Sequence, residues 1–184
     1  MLKDLSRATD LSHVTLRYFN VAGSNPDGLI GQSTPNATLL IKVACEVITG
    51  KRETLSLFGT DYPTPDGTGV RDYIHVEDLA DAHLKALDYL RRGGDSVTLN
   101  CGYGHGYSVR EVIEAIERVS GKKLPVREEA RRAGDPPILV AKADKLRQLL
   151  GWRPRYDNLD MIVKSALNWE RKIAAGDVYE CPGK

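Results

Sequence analysis

Two segments of this chain, Val14–Phe19 and Ser96–Cys101, carry apolar residues on both faces of an extended backbone. A strand with one wet face alternates apolar and polar residues. A strand apolar on both faces belongs inside a parallel sheet, covered above and below. It also needs ladder partners, because an open edge leaves a row of unpaired N–H and C=O groups. The sequence offers only three or four strands, and they are scattered, so the sheet reads as incomplete. The two segments are expected side by side in one small parallel sheet with a raw edge.

Between them the pattern alternates strand and helix, which is the signature of an α/β chain. Gly23-Ser24-Asn25-Pro26-Asp27-Gly28 is loop chemistry, and Ala37–Ile48 follows helical spacing up to Gly50. Thr54–Phe58 alternates as a strand, and the punctuated loop Gly59–Gly69 follows. Arg71–Val76 reads as one extended segment and Glu77–Arg91 as a helix closed by Gly93-Gly94. Ser108-Val109-Arg110-Glu111 is a capping box, opening a helix that runs to Ser120 and stops at Gly121. Lys123–Val126 is a short edge strand at best, and Ala143–Leu150 and Leu159–Ala175 read as helices.

Composition excludes several function classes. The 184 residues carry 26 Lys+Arg against 25 Asp+Glu, a net charge of +1. Without a basic surplus, non-specific nucleic-acid binding has no electrostatic basis. No run approaches the ~20 apolar residues that span a bilayer. The mixed-charge start, Met1–Arg7, lacks the apolar core of a signal peptide. Cys45, Cys101 and Cys181 are odd in number and show no CxxC spacing, so neither a disulfide framework nor a zinc site is indicated. The chain reads as reduced and cytoplasmic, its thiols acting as small hydrophobes.

Few residues invite chemistry on spacing alone. Gly102-Tyr103-Gly104-His105-Gly106 follows a strand and precedes a helix, but G-x-G-x-G is not the dinucleotide fingerprint, and no acidic residue ends a strand about 20 residues on. It reads as a tight turn. Arg71 and Arg132 sit in loops beside glycine, where a guanidinium fork suits phosphate; the plainer reading is surface charge, with Arg71 and Asp72 neutralising each other. Phe58 ends a strand where its ring suits stacking on a base or core packing. His75 reads as a satisfied buried histidine, and no Ser/His/Asp arrangement, metal cluster or close carboxylate pair stands out.

Longer segments carry more. Leu16-Arg17-Tyr18-Phe19-Asn20-Val21-Ala22-Gly23 resembles a strand and turn of the UDP-glucose 4-epimerases, members of the extended short-chain dehydrogenases. The stretch Leu57–Val76, with Asp61-Tyr62-Pro63-Thr64-Pro65-Asp66-Gly67-Thr68-Gly69 and then Arg71-Asp72-Tyr73-Ile74-His75-Val76, is similar to that family's most characteristic segment. Asp78-Leu79-Ala80, Leu99–Gly102, Arg131–Pro137 and Leu150-Gly151-Trp152 continue the match in order.

The resemblance is to the C-terminal part of that family. It implies the C-terminal portion of a Rossmann-type α/β fold with a small mixed α/β substrate-binding domain, the N-terminal dinucleotide-binding half being absent. Residues 1–23 and 70–105 would be remnants of the NAD-binding domain, and 24–69 and 106–184 the UDP-sugar-binding domain. The activity implied is NAD-dependent interconversion of UDP-glucose and UDP-galactose through a 4-keto intermediate. In the family a Tyr-x-x-x-Lys pair does the chemistry, and no Tyr here is followed four positions later by Lys. The chain alone is therefore expected to bind the substrate without turning it over. An inactive remnant, or part of a dehydratase or decarboxylase built on the same scaffold, are the alternatives. Family members are usually homodimers, but they pair through helices of the other half.

Residue by residue, the resemblance puts Phe19 beside the nicotinamide of NAD and Asn20 on the substrate diphosphate. Ser56 and Phe58 would line uracil, Arg71 and Arg132 clamp the pyrophosphate, and Asp135 hold the ribose. Leu39 stands where a polar residue near the phosphates is usual, while Leu40 fits. Leu139 replaces a bulky tyrosine of some members and leaves room for UDP-N-acetylhexosamines.

Overall fold

The computed structural model describes residues 1–177, so Cys181 and the end of the 106–184 segment lie outside the described residues. The elements in order are α1 (Leu2–Ala8), β1 (Val14–Arg17), β2 (Asn20–Ala22), α2 (Leu40–Ile48), β3 (Leu55–Phe58), β4 (Val70–Arg71), β5 (Tyr73–His75) and α3 (Val76–Arg91). They continue as β6 (Val97–Asn100), β7 (Tyr107–Ser108), α4 (Val109–Ser120), β8 (Val126–Glu129), β9 (Ile138–Leu139), α5 (Asp144–Leu150) and α6 (Leu159–Ala175).

The two segments apolar on both faces do pair. β1 runs parallel to β6, Val14 opposite Val97 and Arg17 opposite Asn100. The first segment, expected as one strand to Phe19, breaks at Tyr18-Phe19 and resumes as β2, which pairs in parallel with β5. Cys101 N–H donates to Arg17 O at 2.8 Å and Asn20 N–H to Asp72 O at 3.3 Å, so one stretch of chain changes partner across the break.

Arg71–Val76, expected as one segment, also divides. β4 lies between β7 and β9, whereas β5 joins β2. Asp72 is the pivot, and its carboxylate fixes the change of direction by accepting from Tyr103, Gly104 and Ala141 N–H at 3.1, 3.1 and 3.2 Å. The expected strand Lys123–Val126 is instead β8, parallel to β3, beginning after Pro125. Proline has no N–H for a ladder, but its carbonyl accepts from Leu55 N–H at 2.9 Å.

The helices follow their sequence signals. His75 caps α3, its Nδ1 accepting from Glu77 N–H at 3.1 Å. Ser108 and Glu111 form the expected capping box on α4, and Gly121 closes that helix at φ 71, a left-handed cap that favours glycine. Helices α2, α4 and α6 pack on one another around Ile41, Ala44, Val112, Ala115, Ile162 and Val163, all buried. This core is continuous with Tyr73, Ile74 and Leu99 of the strands and with Cys101 just after β6. Asp78 ties in the α5–α6 connection, taking Tyr103 OH at 2.7 Å and Arg155 and Tyr156 N–H at 2.8 and 2.9 Å.

Candidate functional site

The characteristic stretch before Arg71 folds into a bracket. Asp66 accepts from Thr68 N–H and hydroxyl at 2.8 Å and from the Ser108 hydroxyl, so the loop is tied to the start of α4. Burial raises the Asp66 pKa, but the hydrogen bonds from Ser108 and Thr68 outweigh it and hold the group below its usual value. At Gly67, φ is 78 and a Cβ would stand 2.2 Å from the Thr60 carbonyl oxygen, so no other residue fits. The bracket delivers Gly69 and β4 to the wall of a large cavity.

That cavity has a volume of about 450 Å³, within the range of small-molecule sites. The ends of β2 and β3, the start of α2, β4 and the 131–137 loop converge on it. Asn20, Leu39, Leu40, Ser56, Phe58, Arg71, Arg132 and Asp135 all lie in its wall. Phe19 and Leu139 do not: Phe19 is half-buried in the break between β1 and β2, and Leu139 is half-buried on β9, opposite Arg71.

The two arginines differ from the surface-charge reading. Adjacent residues in a strand point to opposite faces, so Arg71 enters the cavity while Asp72 turns to the glycine turn, and they do not neutralise each other. Arg71 is 15% exposed, with Nη2 4.0 Å from Asp135 Oδ1 and Nη1 donating to Val70 O at 2.9 Å. Arg132 is exposed and sits over the Phe58 ring, its guanidinium carbon 3.8 Å from the ring centre. Phe58 is thus neither core nor bare; a cation covers one of its faces.

Residue-by-residue reading of the sequence missed Arg52, Tyr62 and Tyr73, which also line the cavity. Arg52 ties the wall together, donating to Glu46 Oε2 at 2.5 Å and Ala37 O at 3.0 Å. Its place before β3 was the available signal. Burial raises the Glu46 pKa, yet the Arg52 hydrogen bond and the charge of Lys42 outweigh it and keep the carboxylate ionised. Tyr73 is pushed up by burial and stays a protonated phenol. The charged wall residues are Arg52, Arg71, Arg132 and Asp135, an excess of positive charge suited to a phosphorylated ligand.

Other groups are occupied or inert. The turn Gly102–Gly106 is filled by the Asp72 carboxylate; a Cβ at Gly102 would stand 2.6 Å from Asp72 Oδ2. It therefore does not fit a dinucleotide pyrophosphate, and no step of chemistry passes through NAD on these residues. His75 is buried, its Nε2 3.1 Å from Ser165 Oγ, as a satisfied core histidine. The thiols of Cys45 and Cys101 are pushed up to about 12 by burial and are not nucleophiles. Among the described residues no group of three or more His, Cys, Asp or Glu is placed to hold a metal ion, and no helix is long and apolar enough to cross a membrane.

A continuous α/β core thus carries a cavity whose excess positive charge suits a phosphorylated ligand, the arrangement of an open α/β fold with its site beside parallel strands. Residues 1–102 match the profile of the NAD dependent epimerase/dehydratase family, and the chain belongs to that family. It is similar to the UDP-glucose 4-epimerase of Azospirillum brasilense, 60% identical over 173 residues, or 94% of this chain and 50% of that relative. A crystal structure of a UDP-glucose 4-epimerase superposes with a TM-score of 0.92 at 46% identity, covering 98% of this chain and 54% of the other. The UDP-glucose 4-epimerase of Stenotrophomonas maltophila, solved with bound NAD and formylated UDP-arabinopyranose, gives 0.90 at 41% identity, over 95% and 52% of the two chains. The chain spans about half the length of the relatives it matches.

Proposed function

We propose that this chain is the nucleotide-holding part of a UDP-sugar 4-epimerase. The observation that carries the reading is the convergence of Asn20, Ser56, Phe58, Arg71, Arg132 and Asp135 on one cavity, although they come from four separate stretches of sequence. Arg71 and Arg132 hold the diphosphate, Asn20 donates to it, Phe58 and Ser56 receive the uracil, and Asp135 accepts from the ribose. Phe19, one residue before Asn20, stands on the side facing NAD, the family's cofactor. Such a division of labour makes physical sense: the non-reacting nucleotide supplies the binding energy that presents a sugar left free to turn. In this reading residues 24–69 and 106–184 form the UDP-sugar-binding domain, and residues 1–23 and 70–105, which lend it Asn20 and Arg71, are the remnant of the NAD-binding domain. The proton and hydride transfers belong to a Tyr-x-x-x-Lys pair that residues 1–184 do not contain, so this chain binds without turnover.

Titration calorimetry of UDP into the 184-residue chain tests this. Saturable binding is expected, and Arg71→Ala and Arg132→Ala should each weaken it about tenfold or more, the worth of a charge-assisted hydrogen bond. A folded chain that takes up no UDP overturns the reading. Leu139 lies outside the cavity wall but pairs with Arg71 on β9, and by the resemblance it stands in place of a bulky tyrosine, which would leave room beside the sugar. UDP-N-acetylglucosamine should therefore bind within about threefold of UDP-glucose, and strong rejection of the N-acetylated sugar would remove Leu139 from the site.

A further inference from the structure

A charged group whose centre, Lys42, Glu46 and Glu170, is buried joins α2 to α6. Lys42 Nζ pairs with Glu170 Oε2 across the two helices and lies 3.4 Å from Glu46 Oε1. Arg52 and Lys51 approach the same Glu46 carboxylate at 2.5 and 3.5 Å. Three cations face two carboxylates, so the group needs no metal ion for neutrality. One oxygen is left over: Glu170 is 1% exposed, and its Oε1 has no hydrogen-bond partner among the described residues. A buried carboxylate oxygen without a donor is costly and points to a bound group.

A second cavity, about 20 Å³, lies at this residue, with Asn20, Gln32, Lys42, Tyr73, Trp169 and Glu170 in its wall. That is space for one water, which needs about 10–15 Å³ and two or more polar partners. Asn20 and Tyr73 line both this cavity and the large one, so Asn20 stands in the partition between them.

We infer that the small cavity holds one structural water bonded to Glu170 Oε1 and to the Asn20 side-chain amide, making Glu170 a positioning residue for Asn20. The water donates one proton to Oε1 and accepts one from Asn20 Nδ2. This fixes the amide against flipping and leaves its second Nδ2 proton for a ligand in the large cavity. The last step rests on the nucleotide reading; the water does not.

The test uses the whole chain and three forms: wild type, Glu170→Gln, and Lys42→Leu with Glu170→Leu. The double variant removes the ion pair together, a replacement that buried pairs often tolerate. In wild type and Glu170→Gln, a crystal structure is expected to show an ordered water between residue 170 and Asn20. Hydrogen exchange of the Asn20 side-chain amide should be about tenfold faster in the double variant, with backbone protection of α2 and α6 unchanged. Equal side-chain exchange, or loss of helix protection along with it, overturns the proposal. UDP titration adds a cycle with Asn20→Ala: the double variant should cost about fivefold in affinity when Asn20 is present and nothing when it is absent. An equal loss in both backgrounds would show a merely structural role. If wild type binds no UDP, the nucleotide reading fails, while the exchange result still decides the water.

Discussion

The side of the molecule built from α2, α4 and α6 and the side built from β1, β2, β5 and β6 satisfy their apolar residues differently. On the helices, Ile41, Ala44, Val112, Ala115, Ile116, Ile162 and Val163 are at most 2% exposed. Along β1 and β2 no residue is buried, although Val14, Leu16 and Val21 are as apolar as the helical set. Among the described residues β1 pairs only with β6, and β2 only with β5. An amphipathic helix needs one covering surface and finds it within this chain. A strand of a parallel sheet needs two faces covered and two edges paired; β5 and Leu99 of β6 find that cover within this chain, whereas β1 and β2 do not.

The largest expected effect sharpens that comparison. Ile162→Ala, in the middle of the helical packing, should cost about 4 kcal/mol in urea unfolding, the usual range for emptying a closed site. Leu16→Ala on half-buried β1 should cost about 1 kcal/mol, because little of its surface leaves water. Equal losses would break the contrast between the two sides. A smaller effect concerns the cap of α4. Gly121→Ala should destabilise by about 1 kcal/mol through its left-handed backbone alone, since no atom lies within 4 Å of the added methyl. A neutral result there would mean that the helix end unwinds freely.

The smallest effect is in pH and belongs to His75, where strands and helices meet. Burial holds its pKa below the ordinary 6.5, against the opposing charges of Asp78 and Glu77. The neutral ring is the form that accepts from Glu77 N–H, packs 4.4 Å from the Tyr156 ring and reaches Ser165. The unfolded chain takes up this proton more readily than the folded one. The stabilisation is therefore whole above about pH 6.5 and is lost as pH falls below it toward the folded value. Melting temperatures measured between about pH 8 and pH 5 should fall more steeply for wild type than for His75→Asn; parallel curves would rule this group out as the source.

What the sequence made legible follows from the range of the interactions. Helices α3, α4 and α6 carried local caps and a repeating apolar face, and their boundaries follow those signals. The β1–β6 pairing was legible from apolarity on both faces. The two-residue strands β4, β7 and β9 were not, because only partners tens of residues away make them strands. β8, reading Val126-Arg127-Glu128-Glu129, has the charge of a loop and is extended because β3 imposes its register. At the cavity, nearest-neighbour reasoning paired Arg71 with Asp72, and strand geometry separates them. Asn20 and Asp135 were singled out by resemblance alone, and Arg71 and Arg132 were phosphate candidates by residue type and loop position that the resemblance favoured over surface charge, whereas the Lys42–Glu170 contact, 128 residues apart, left no trace in local pattern.

The glycine turn after β6 has a consequence for traffic at the surface. Its N–H groups converge as a phosphate-binding loop's would, but the anion they hold is a side chain of the same molecule. Asp72 supplies that anion from within the chain, tethered at a local concentration that a free phosphate does not match. Two consecutive residues thus divide the handling of charge: Asp72 satisfies the N–H groups of the turn, and Arg71, facing the other way, places its guanidinium in the wall of the large cavity.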